Sequence, residues 1–265
     1  MSHRNAKQMK FSAKNALTGS IAAMSLALMY SHSANAFGSD EAGNIHEQVT
    51  REALKGTICD ANLNIVVKGS SAADVAGAEG AKDPRRHFKT GELIKCLNLV
   101  DREKRKLINY AQNADTDEKS RARALFLLGQ AMHTLQDFYS RSNYIELKEQ
   151  KFKDDPYNMT LADWTELLDT ESKIGTGLKF EGFDKSMPTS DEGKKTLGGA
   201  TYHKIARELA LRETQRQWNL IETLIRNKAE KRGNDVITAI TQSPCSVKVA
   251  NEVLNGEKSD LVPDL

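Results

Sequence analysis

The chain has 265 residues, 39% hydrophobic and 28% charged, enough apolar content for a sizeable core and too much for a disordered polar chain. Its formal charge is +2, but residues 1–36 carry four basic side chains (Arg4, Lys7, Lys10, Lys14) and no acid, so the remainder holds 34 basic and 36 acidic residues, a net of −2. No basic excess is left to argue for nucleic acid as a partner.

Residues 1–36 read as a secretory signal: basic residues, the apolar run Ala16–Tyr30, then the small-x-small triplet Ala34-Asn35-Ala36. A start at Met9 gives a more ordinary signal length. A membrane anchor needs about 20 apolar residues, and this run is shorter and interrupted by Gly19, Ser20 and Ser25. Cleavage after Ala36 is expected to leave Phe37 as the new N-terminus of a secreted or periplasmic protein, with 37–265 as one domain. An exported chain can oxidise its three cysteines, Cys59, Cys96 and Cys245. Cys59 and Cys96 are the expected pair, with three buried thiols as the alternative. Their spacing fits no zinc finger.

Phe37–Gly43 is a short connector with two glycines. Asn44–Leu54 has helical spacing, with Ile45, Val49 and Ala53 in a stripe, His46 beside it and Gly56 as a stop. Ala61–Val67 is rich in β-branched residues and suits a short helix or an extended connector. Gly69–Pro84 is small and polar, a loop carrying Asp74 and Asp83 that leads into Arg85-Arg86-His87-Phe88. Thr90–Asn113 predicts a long helix whose run DREKRK is a solvated face. Asp115-Thr-Asp-Glu caps the next helix, Lys119–Tyr139, with Ala122, Leu125, Phe126, Leu128, Gly129 and Met132 on a buried face. Gly129 costs about 1 kcal/mol relative to alanine inside a helix, which implies close packing or space for a ligand.

Arg141–Gln150 and Leu161–Leu168 predict further helices, and Glu171–Gly199 a long surface loop. Thr201–Lys231 is a long helix with Ile205, Leu209, Leu211, Trp218, Ile221 and Leu224 facing inward. Asp235–Thr241 and Ser246–Val253 are short helices. The expected architecture is an all-α multi-helix bundle with long loops.

Four histidines follow residue 36: His46, His87, His133 and His203, each in or beside a helix of its own. A single imidazole is more often a hydrogen-bonded structural group than a ligand. Asp137 lies four residues after His133, so on a helix the two share one face about 6 Å apart and can grip one metal ion.

The phrase HTLQDFYSRSNYIEL from His133 to Leu147, Gly129 before it, Arg86-His87-Phe88 and His46 resemble the zinc-dependent phospholipases C, whose fold the fungal single-strand-specific nucleases share. The phrase is closest to the branch of the fungal heterokaryon-incompatibility protein Het-C, where it resembles HTLQDFYAHSNWVEL. Tyr202-His-Lys-Ile-Ala-Arg-Glu-Leu-Ala, Thr214 and Trp218 also fit that branch, so the resemblance spans Phe37 to about Trp218. It implies an all-α bundle around three zinc ions.

In that family the free amine and carbonyl of the mature N-terminus, here Phe37, hold one zinc with His46. Asp137 bridges two ions, and His87 and His133 hold the second. An aspartate before His87 is also a ligand and can orient or deprotonate water. Asp74, 13 residues upstream, is the choice, with Asp83 and Asp60 as alternatives. His203 matches a ligand of the third ion, but Arg141 stands where that branch has histidine and Arg207 where the family has a carboxylate. Glu208 and Glu146 are possible substitutes. Arg141 and Arg207 could instead pair with a phosphate, and Tyr144 is a further substrate-contact candidate.

The resemblance therefore implies an exported hydrolase with two to three Zn²⁺ ions that cleaves phosphodiesters, foremost phosphatidylcholine-like lipids as a phospholipase C, with peripheral membrane contact. The alternatives are a non-catalytic, Het-C-like exported module that binds membranes or acts like a toxin, and a nuclease of the same fold.

Overall fold

Side-chain caps set the helix starts. Asn44 accepts the Glu47 amide and opens α1, Ile45–Leu54. Asp117 accepts the amides of Lys119 and Ser120 and opens α4, Glu118–Arg141, and Thr201 does the same through Lys204 for α9, Tyr202–Ala229. The computed structural model describes residues 44–74, 83–89, 93–169 and 171–256, all within one compact unit, Asn35–Leu265. The expected signal segment and Phe37 lie outside the described residues.

Between these helices come α2 (Asp60–Ala72), α3 (Leu93–Ala111), α5 (Tyr144–Phe152), α6 (Trp164–Leu168), α7 (Lys173–Gly177) and α8 (Asp191–Lys194); α10 (Gly233–Gln242) and α11 (Val247–Gly256) follow α9. The described residues are all-α apart from one hairpin, β1 (Thr196–Leu197) with β2 (Ala200–Thr201). Its turn residues Gly198 and Gly199 have φ of 55° and 82°, which a two-residue hairpin turn demands.

Helix α4 is the axis of the bundle. It packs against α2, α3 and α9, and α10 and α11 touch it as well. Every residue from Ala124 to Arg141 is buried, so this stretch of the helix has no solvent face and its polar side chains need partners inside the protein.

Ala61–Val67 is helical, as one of its two readings has it, and the 13-residue helix continues through Gly69–Ala72, which corrects the loop expected there. The cause is a pair of glycines. A Cβ on Gly69 would lie 2.1 Å from the Phe126 carbonyl oxygen, and one on Gly129 would lie 1.9 Å from that of Val66. The two backbones meet through these gaps, and tertiary packing outweighs the poor helix propensity of both residues.

The segment 171–199 contains α7, α8 and the first strand and turn of the hairpin rather than loop alone. Leu224 is 47% exposed instead of inward, while Ile221 and Ile225 fill the core. The expected Cys59–Cys96 bond is absent, and all three cysteines are free thiols. Cys59 donates its amide to Thr241 at the end of α10, which turns it toward the segment carrying Cys245, whereas Cys96 is buried in α3 near Arg85. No described helix is long and apolar enough to cross a membrane.

Candidate metal centre

Four elements meet at one buried point. His46 comes from the first turn of α1, Asp74 follows α2, His87 sits in the turn between Asp83 and Lys89, and His133 and Asp137 lie one turn apart on α4. His46, His133 and Asp137 are 0% exposed and His87 3%.

Asp137 is the hub. Its Oδ1 lies 3.2 Å from His46 Nε2, and its Oδ2 lies 3.0 Å from His87 Nδ1 and 3.5 Å from His133 Nε2. Asp74 faces the same point less closely, with Oδ2 3.9 Å from His46 Nε2 and 3.8 Å from His133 Nδ1, and Oδ1 3.9 Å from His87 Nδ1. Two groups result, His46–Asp74–His133 and His87–His133–Asp137, each with ligand atoms within 4.8 Å of one another. His133 belongs to both, one ring nitrogen toward each.

Three of these atoms, Asp74 Oδ1, His133 Nδ1 and Asp137 Oδ1, are buried without a hydrogen bond. Leaving such groups unsatisfied is costly, so three orphans at one point are an argument for a missing common partner. Imidazole nitrogens and carboxylate oxygens suit a divalent transition metal. These buried groups could hold a metal ion.

The surroundings fix the ligands. Gln136 donates through Nε2 to the hydroxyls of Thr50 and Thr214, so its Oε1 faces His46 Nδ1, at 2.7 Å. That contact makes Nδ1 the protonated nitrogen and presents Nε2 to Asp137, the outer support typical of a metal-bound histidine. The His87 turn is pinned by a buried ion pair of Arg86 with Glu103 on α3. Phe88 has φ of 51°, a left-handed backbone that is uncommon for a bulky residue. Its ring stacks on Phe180 and packs edge-on to Phe138, which holds His87 and Lys89 on either side of it.

The charges are interlocked. Burial favours the neutral form of Asp137, but His133 and then His46 outweigh it and hold the carboxyl well below its usual range. Burial pulls His46 down, yet Asp137, then Asp74, leaves it raised. Burial, then His46, pushes His133 well down. Asp74 is raised by burial, with His46 opposing and the neighbouring Asp137 charge adding to the rise.

Other expected site residues stand elsewhere. The structure does not bring His203 to this cluster: its Nδ1 lies 3.0 Å from the Lys185 carbonyl oxygen. Arg207 pairs with Glu52 on α1 at the surface. Tyr144 is buried and donates its hydroxyl to the Thr160 carbonyl. Arg141 does reach the centre, with Nε 3.7 Å from Asp137 Oδ2.

Three residues here were not legible as site residues: Gln136, Glu103 and Lys185. Gln136 stands in the central phrase, but only the fold puts it behind His46. Lys185 is 0% exposed, with Nζ 2.7 Å from the Ser142 carbonyl oxygen and 3.0 Å from Glu146 Oε1. It therefore occupies Glu146, one of the substitutes considered for a third ion.

An all-α protein with a buried His/Asp centre is thus the class that fold and site define. A family model described as the VWA7 N-terminal domain matches residues 44–164, a stretch that includes all five cluster residues and ends before His203. No curated protein and no solved structure matches the chain.

Proposed function

We propose that the chain is an exported zinc-dependent phosphodiester hydrolase that acts on phosphatidylcholine-like lipids as a phospholipase C. The observation that carries this reading is the convergence of His46, Asp74, His87, His133 and Asp137, with three orphaned ligand atoms among them. The resemblance of the His133–Leu147 phrase supplies the reaction class.

His46, Asp74 and His133 would hold one ion and His87, His133 and Asp137 a second. Bound zinc lowers the pKa of water toward about 7 and offsets the charge that builds on a phosphoryl group. Asp74, at 11% exposure the most open of the five, suits the general base. Asp137, held well down, stays anionic and keeps the three histidines together. Gln136 orients His46, and the buried setting limits bulk water.

A second, non-catalytic membrane-binding reading is favoured by one observation: among the described residues His203 and Arg207 are engaged elsewhere, so the third ligand set is not assembled.

Incubation of the zinc-loaded chain with phosphatidylcholine vesicles tests both. Release of phosphocholine that chelator abolishes, and that Asp74→Asn slows by about 10²–10⁴-fold, is the expected result. Vesicle binding without release would favour the second reading, and cleavage of single-stranded DNA alone would favour a nuclease.

A further inference from the structure

A pocket of about 470 Å³ lies beside the centre, lined by Phe88, Lys89, Arg141, Phe180, Phe183 and neighbouring strap residues. Arg141 connects the two. It sits four residues after Asp137 on α4, so it occupies the same face one turn further along, with 7% of its surface exposed. Lys89 is the second cation of this wall, two residues after His87. Two like charges in one pocket repel each other; Asp137 already faces Arg141, and a bound anion would add to that compensation.

The wall opposite in sequence is fixed before any ligand arrives. Lys179 and Asn143 exchange hydrogen bonds, the Lys179 amide to Asn143 Oδ1 at 2.7 Å and the Asn143 amide to the Lys179 carbonyl at 2.9 Å. The Lys185 amide bonds Ser140, and its buried ammonium bonds Ser142 and Glu146. Residues 180–184 are therefore held at both ends against the α4–α5 corner, and a preformed wall lowers the ordering cost of binding. Glu181 and Asp184 line the same pocket and oppose an anion, so binding depends on both cations.

We propose that Arg141 and Lys89 form a subsite for a single phosphate oxyanion, with Phe88, Phe180 and Phe183 flanking the group attached to it. A guanidinium is the apt cation, because its planar fork matches two phosphate oxygens. The inference deepens the hydrolase reading and rests on it for the identity of the anion as a phosphate ester.

Calorimetric titration with inorganic phosphate tests it on the full chain, both chelator-treated and zinc-loaded. The wild type should bind in both states. Arg141→Gln should weaken binding about tenfold or more in both, the scale of a lost hydrogen bond to a charged group. Arg141→Lys should recover part of the loss, and Lys89→Ala should show a smaller one. Unchanged affinity in Arg141→Gln overturns the subsite, as does binding that vanishes from the metal-free wild type.

If Arg141→Gln does not fold, unchanged affinity in Lys89→Ala overturns the subsite. Two substrates separate the source of the anion. An equal rise in KM on a soluble phosphodiester and on phosphatidylcholine vesicles places a lipid headgroup phosphate there, and a rise on the soluble ester alone places a free ester. Arg141-dependent phosphate binding in a chain that hydrolyses nothing would remove the hydrolase and leave the subsite. Hydrolysis with an unchanged KM in Arg141→Gln would remove the subsite and leave the hydrolase.

Discussion

At the scale of the residue, the centre depends on groups that touch no ligand site themselves. Gln136 holds His46 by one hydrogen bond and is held in turn by Thr50 and Thr214. Gln136→Leu keeps the volume and removes the acceptor, so zinc affinity should fall about 10–100-fold with little change in fold. Competition with a chromophoric chelator measures this, and an unaltered affinity would show that His46 needs no orienting partner.

Protons compete for the same site. The folded protein raises the His46 pKa, so in the metal-free state this group stabilises the fold below pH 6.5 and the contribution is lost as pH rises through the raised value. His133, held well down, acts oppositely and costs stability as pH falls below 6.5. Zinc must displace the His46 proton, so the rise in melting temperature on adding zinc should be larger near about pH 8 than near about pH 6. Equal increments at both would contradict the interlocked charges. The His133–Asp137 pair was legible because helical spacing alone places it; Gln136 was not, because its partners lie 86 and 78 residues away.

At the scale of the element, the site depends on how closely α2 and α4 approach. Gly129→Ala gains about 1 kcal/mol of helix propensity, but its methyl group would meet the Val66 carbonyl at 1.9 Å. Overpacking of that kind costs about 1–3 kcal/mol or more, so it wins and the variant should be less stable. Because His133 lies one turn further on, zinc affinity should fall as well. Denaturant unfolding with a metal titration checks both, and a more stable Gly129→Ala protein would mean the contact relaxes freely.

The same contact explains the misread of α2. Ile65, Val66 and Val67 have β-branched side chains that favour strands, and Gly69 reads as a helix stop; only the facing helix, far away in sequence, reverses both signals. The strap around Lys185 was unreadable for a related reason. A lysine in a polar, glycine-containing stretch looks solvated, and its complete burial follows from Ser142 and Glu146, which the sequence does not mark as its partners.

At the scale of the whole molecule, the long helices were legible because each carries an apolar stripe, with Asp117 and Thr201 capping two of them, and this sufficed for the all-α class. How four elements from distant parts of the chain meet could be inferred only from family resemblance, since spacing reports on one helix at a time. Ions held by α1, the segment after α2, the His87 turn and α4 would cross-link the bundle, so chelation should lower the melting temperature clearly, and an unchanged melting curve in excess chelator would make the histidines purely structural. The most direct measurement is elemental analysis of the purified chain beside its Asp137→Asn and His133→Ala variants. Two His/Asp groups predict about two zinc ions per wild-type chain. Asp137→Asn keeps the shape but removes the charge that faces all three histidines, and His133→Ala removes the ring both groups share, so each should lose zinc. A folded Asp137→Asn protein with the full wild-type metal content would contradict the claim that this cluster is the metal centre.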